Sequence, residues 1–113
     1  MIRGEIWWAD LSIPFGSEPG FKRPVVIIQD DAFNKSKIQT VIAASITTNL
    51  DLSGAPGNVY VGKDESGLSK DGVINVSQIA TLDKRRLIDK VCVLSQGTMA
   101  EVDYGIRLIL NLQ

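Results

Sequence analysis

Arg23 stands immediately before Pro24, at the head of the apolar run Val25, Val26, Ile27, Ile28, and closes a loop that carries Ser17, Glu18 and Lys22 in the stretch GSEPGFKRPVVIIQDD. Guanidinium, ammonium and hydroxyl groups gathered before a strand suit the handling of a phosphate. Arginine's planar fork can hold two non-bridging oxygens, and its fixed charge can stabilise a dianionic transition state. The residue before a proline is held extended, so the Arg23 side chain has a defined root, and Gly16 and Gly20 let the preceding backbone turn sharply. An arginine ahead of a strand is equally an ordinary solvated residue, and its company decides between the two readings.

Much other chemistry is excluded by composition. The chain has no histidine and one cysteine, which rules out an internal disulfide, a Cys/His zinc cluster, a Ser-His-Asp triad and a histidine acid/base pair. Cys92 lies in the alternating stretch KVCVLS, where a thiol serves as a small buried hydrophobe. The acidic residues of GKDESGLSKDG lack the spacing and terminal glutamate of a calcium loop and read as a solvated loop. The glycines form neither a Walker motif nor a dinucleotide fingerprint. No metal site and no cofactor are expected.

Two further groups could accompany Arg23. Thr47 and Thr48 end the stretch AASITTN, and adjacent residues on a strand point to opposite faces, so one hydroxyl can face a cleft while the other faces away. Both are also common strand residues, and spacing alone does not bring either to Arg23. Trp7 and Trp8 alternate in the same manner, which suits one ring to the core and the other to a stacking or interface surface.

The elements that would position these groups are mostly strands. At 113 residues and 44% hydrophobic composition, residues 1–113 suit one compact domain with a real core. Short β-branched runs punctuated by Gly, Pro, Asn and Asp predict a small all-β sheet or barrel. Strands are expected at about Gly4 to Asp10, Pro24 to Gln29, Thr40 to Thr47, Val59 to Val61, Val73 to Thr81 and Asp89 to Leu94. The stretch DDAFNKSK suits a short helix, and DLSGAPGN a turn or exposed loop. After Ser95, a plausible N-cap, the spacing of Met99, Val102, Ile106 and Ile109 predicts a terminal amphipathic helix laid on the sheet.

The net charge is −1 and the pI near 5.3, so a polyanion site must be a local patch rather than a global basic field. The N-terminal stretch MIRGEIWWADLS carries charges where a signal peptide has its apolar core. No apolar run approaches the roughly 20 residues that span a bilayer. A soluble, cytoplasmic protein without membrane association is expected.

The order of RGEIWWADL, GSEPGFKRPVVIIQDD, AASITTN, DGVINVSQIATLDKRRL and the terminal helix resembles the MazF/PemK toxins of toxin–antitoxin pairs along essentially the whole chain. The resemblance implies a mainly β, SH3-like small barrel with short helices and a homodimer. It also implies a metal-independent endoribonuclease cutting single-stranded RNA at short sequences. In the family, the arginine of the GSE-x-G-x-x-RP motif and the threonine closing the third strand form the catalytic pair. These fall here on Arg23 and Thr47, with Thr48 the one-residue alternative. The RNA's own 2′-hydroxyl would be the nucleophile, leaving a 2′,3′-cyclic phosphate and a 5′-hydroxyl.

Other roles follow on the same basis. Glu18 is the nearest candidate base in sequence and equally an anchor for Lys22 or Arg23; it is a secondary catalytic candidate. Ser17 and Lys22 can contact phosphate, although Ser17 is equally a loop residue bonded to its own backbone. Gln78 can read a base edge or satisfy a buried backbone group. Lys84, Arg85 and Arg86 form a local basic cluster suited to the RNA backbone, or a solvated face beside Asp83 and Asp89. Ala80 stands where many relatives carry a larger or basic residue, which bears on base preference. The implied partners are single-stranded RNA, a second copy of the chain, and a small cognate antitoxin with an extended acidic tail. The alternatives are a non-catalytic CcdB-like toxin that binds DNA gyrase, or an inactive binding module.

Overall fold

A computed structural model describes residues 1–13, 15–17 and 21–113. Among the described residues six strands form one sheet: β1 (Glu5–Asp10), β2 (Lys22–Ile27), β3 (Thr40–Thr47), β4 (Val59–Val61), β5 (Gly72–Asp83) and β6 (Leu87–Val93). Their spatial order is β4-β5-β3-β2-β1-β6, and every pairing is antiparallel. Three α-helices accompany them among the described residues: α1 (Asp31–Asn34), α2 (Lys63–Ser66) and α3 (Gln96–Leu110). No helix among the described residues is long and apolar enough to cross a membrane.

The sheet curls as a half-barrel and buries residues on both faces, as the strand alternation requires. Ile6, Val26, Ala44, Ile46 and Ile74 point into one core with Val59, Val61, Leu94, Met99 and Val102. Their neighbours Ala9, Val25, Ile27, Val41 and Ala43 point into the second, with Leu82. Helix α3 covers the first face. Its N-cap is Ser95, whose Oγ accepts from the Thr98 N–H at 3.1 Å, and it ends at Asn111 in the left-handed conformation. Gly105 lets the helix approach closely: a Cβ there would stand 2.0 Å from the Gly57 carbonyl oxygen.

The expected strands are all present, with shifted ends. β2 begins at Lys22 and stops at Ile27, while β5 extends from Gly72 to Asp83 and β6 starts at Leu87. Two expectations need correction. The loop GKDESGLSKDG contains α2, a single turn ended by Gly67 at φ 75°, too short to show a hydrophobic period. Ile109 shares the helical spacing of Met99 and Val102 yet is exposed, because the last turn of α3 runs past the core, leaving Leu108, Ile109, Leu110 and Leu112 all in solvent. The stretch DLSGAPGN is an exposed turn as expected, wound as a short 3-10 helix over Leu50–Gly54 and capped by Asn49, whose Oδ1 accepts from the Asp51 N–H at 3.2 Å.

Candidate active site

The antiparallel pairing of β2 and β3 matches Val25 with Ser45, Val26 with Ala44 and Ile27 with Ala43. Continuing that register by two residues sets Arg23 across from Thr47. Residues directly opposite on antiparallel strands share a face, so the two side chains emerge together. Pro24 contributes no N–H to the ladder, which suits a point where pairing gives out.

Arg23 and Thr47 line one recess of about 200 Å³ together with Ser17, Ser45, Asn75 and Gln78. Leu52 and Ile46 provide its apolar wall. Arg23 is exposed, Thr47 half-buried and Ser45 buried. Thr47 is held in place from behind: its Oγ1 accepts from the Asn49 N–H at 3.1 Å, which leaves its own hydrogen to donate elsewhere.

Gln78 reaches the recess through an irregularity in β5. Ala44 pairs with Ile79, but the next residue, Ser45, pairs with Asn75, so Val76, Ser77 and Gln78 are in excess on β5. Such a bulge re-aims the side chains it carries. Two amides fix it. Asn75 Oδ1 accepts from the Ser77 N–H at 3.2 Å and the Ser77 Oγ–H at 2.6 Å, and Asn58 Oδ1 accepts from the Val76 N–H at 3.0 Å.

A second recess, of about 180 Å³, shares Arg23 and Ile46 with the first and adds Trp8, Lys22, Pro24, Thr48 and Lys70. Thr47 and Thr48 therefore lie in neighbouring recesses, each with Arg23. Trp7 is half-buried against the second core and its Nε1–H donates to Glu5 Oε1 at 3.1 Å, whereas Trp8 is exposed at the recess. The two tryptophans divide as their alternation requires.

The basic cluster is more dispersed. Lys84 Nζ donates to the Asn34 carbonyl at 3.1 Å. Arg85 forks onto the Asp83 carboxylate with two bonds of 3.0 Å and holds its pKa down to about 2. Arg86 donates to the Asp10 carbonyl at 3.0 Å and the Ser12 hydroxyl at 2.6 Å. Of the three, Arg86 lies nearest the site, lining a wider hollow with Ser17 and Gln78. Glu18 lies outside the described residues.

Ser45, Leu52 and Asn75 line the same recess and were not among the residues expected from sequence. The signal for Asn75 was an amide inside the apolar stretch VINVSQ, which marks a buried polar group with a local task. Cys92 is half-buried, with Sγ donating to the Glu65 carbonyl at 3.1 Å. Burial, aided by the Glu65 charge, pushes its pKa up, opposite to the shift a nucleophilic thiol needs.

A family model described as PemK-like, MazF-like toxin of type II toxin-antitoxin system matches residues 2–110. A relative from Mycobacterium tuberculosis, named endoribonuclease MazF6, is 47% identical over 110 residues, covering 97% of this chain and 96% of that protein. One from Staphylococcus epidermidis, named endoribonuclease MazF, is 46% identical over 110 residues, covering 97% and 91% respectively. A solved endoribonuclease in complex with its cognate antitoxin, from a mycobacterial species, superposes with a TM-score of 0.77 at 25% identity, covering 100% of this chain and 95% of that one. The match takes in every strand and the recess around Arg23 and Thr47, and the chain belongs to the PemK-like, MazF-like toxins of type II toxin–antitoxin systems.

Proposed function

We propose that this chain is an endoribonuclease toxin that cuts single-stranded RNA, mRNA included, at short sequences with Arg23 and Thr47 as its catalytic pair. The observation that carries the reading is the register of β2 on β3, which sets a cation and a hydroxyl side by side in one recess. The relatives matched along the chain are named endoribonucleases, which favours this reading over a gyrase-binding toxin of the CcdB type.

The reaction uses the substrate's own nucleophile. The 2′-hydroxyl oxygen attacks the adjacent phosphorus as its proton leaves, the bond from phosphorus to the 5′-oxygen breaks, and that oxygen takes up a proton. The products are a 2′,3′-cyclic phosphate and a 5′-hydroxyl. Arg23 stabilises the charge on the crowded phosphorane, and Thr47 orients the phosphate or the attacking hydroxyl by hydrogen bonding. With a pKa above about 12, arginine serves better as an anion stabiliser than as a proton donor. Glu18 is the nearest carboxylate in sequence to accept the proton. Ser17, Lys22, Thr48, Gln78 and Arg86 contact the strand on either side, with Lys84 and Arg85 farther along. Neither a metal nor a cofactor is needed, and DNA, lacking the 2′-hydroxyl, survives.

The working form is a homodimer in the cytoplasm, restrained by a small antitoxin whose acidic tail occupies the same recess in place of RNA. A long single-stranded RNA incubated with the protein in EDTA tests the reading through its fragment ends. Discrete cuts with cyclic-phosphate and 5′-hydroxyl ends are expected. Intact RNA across many sequences, with folded protein, would move the assignment to a binding toxin.

A further inference from the structure

The recess beside the catalytic one is a built feature. Trp8 pairs with Pro24 across β1 and β2, so the indole and the proline ring share a face, and the buried Ile46 lies beneath them. Leu68, Ser69 and Lys70 form the facing wall. That wall is stapled in place: Asp71 Oδ1 accepts from the Lys63 N–H at 2.8 Å, and the buried Ser66 hydroxyl accepts from the Leu68 N–H at 3.1 Å. At its base β5 starts against the end of β3, where a Cβ on Gly72 would stand 2.9 Å from Ile46 Cγ2 and 3.1 Å from the Thr47 carbonyl oxygen.

Its chemistry is equally particular. Trp8 is 37% exposed, and among the described residues its indole N–H has no hydrogen-bond partner, in contrast to the anchored Trp7. Lys22 and Lys70, also exposed, have no ion-pair partner among the described residues, whereas Arg85 and Arg86 are held by neighbouring groups. Asp89 pairs with Trp8 from β6 but does not line the recess. An aromatic face flanked by two available ammonium groups is the surface that holds a base of a single strand together with its phosphate.

We infer that the Trp8, Lys22 and Lys70 recess is a subsite for the nucleotide next to the cleaved phosphate, with one base stacked on Trp8 and the flanking phosphate held by the two lysines. The placement rests on the proposed nuclease reading, because Arg23 is common to both recesses. Stacking accepts any base, so this subsite adds affinity and alignment while leaving sequence choice to other contacts.

A pool of random-sequence single-stranded DNA octamers, which bind without being cut, supplies the probe. In the Trp7→Phe protein the remaining indole is Trp8, and its emission is expected to be quenched as the octamers bind. Trp8→Ala should weaken octamer binding roughly five- to 150-fold, and Trp8→Phe should restore most of it. Lys22→Gln and Lys70→Gln should each lower the slope of log affinity against log salt by about 0.7. Unchanged affinity in a folded Trp8→Ala protein, or quenching by an acidic peptide but not by the octamers, would overturn the subsite. Failure of the nuclease reading shows separately, as RNA left intact by the unmodified protein.

Discussion

Thr47 has a partner that fixes its hydroxyl before substrate arrives, the Asn49 N–H at 3.1 Å, and that bond makes its role separable from that of Thr48. Thr47→Val keeps the β-branched shape and removes the donor that the proposed mechanism directs at the substrate. Its kcat is expected to fall roughly ten- to a hundredfold, while Thr47→Ser retains most activity. Thr48 lies in the neighbouring recess, so the effect of Thr48→Val should fall on KM; single-turnover cleavage across RNA concentrations separates the two. At this scale the sequence was readable where a residue has a local cause. Arg23 is defined by the proline that follows it, and the tryptophan pair by strand alternation. Asn75 and Ser45 were not readable, because their places depend on a bulge set by pairing between strands distant in sequence.

Among the elements, α2 has a task that its four residues conceal. The Glu65 carboxylate accepts from Thr98 Oγ1 at 3.0 Å and from the Ser95 N–H and Oγ, both at 3.2 Å, and so caps α3 from thirty residues away. The Thr98 hydroxyl, followed by the Ser95 groups, holds its pKa below the usual glutamate range. A depressed carboxylate contributes stability above its unfolded value, near 4.3, and loses that contribution as pH falls through the folded value. Glu65→Gln should therefore cost about 0.5–1 kcal/mol at pH 7, reduced by solvent screening at a surface site. The difference from the unmodified protein should close below about pH 4; denaturant unfolding at several pH values measures it. The strands were legible because their β-branched runs are bounded by turn residues, and α3 because its period holds over three turns. A single helical turn such as α2 carries no period, and only the partners in β6 and α3 make it necessary.

The whole molecule leaves an apolar groove uncovered, which meets the hollow lined by Ser17, Gln78 and Arg86 at Ile79, Ala80 and Thr81. Ile28, Phe33, Ile38, Ile42, Ile106 and Leu110 line about 820 Å³ of it, and Phe33, Ile38, Ile42 and Leu110 are exposed. An apolar patch of this kind on a surface is commonly an interface, in keeping with the proposed homodimer. Light scattering is expected to give twice the 12.3 kDa chain mass, and Ile42→Glu to give the single mass with the fold intact. A monomer at all working concentrations would remove the dimer. The proposed cleavage chemistry turns on one guanidinium, exposed at the start of β2 and outside both cores. The most direct test is the single-turnover rate of Arg23→Ala on an RNA that the unmodified protein cuts, with thermal unfolding measured alongside. An unchanged melting transition and a rate lower by about a hundredfold or more are expected for the loss of an anion stabiliser. Cleavage at the unmodified rate would contradict the assignment of Arg23 to the phosphate.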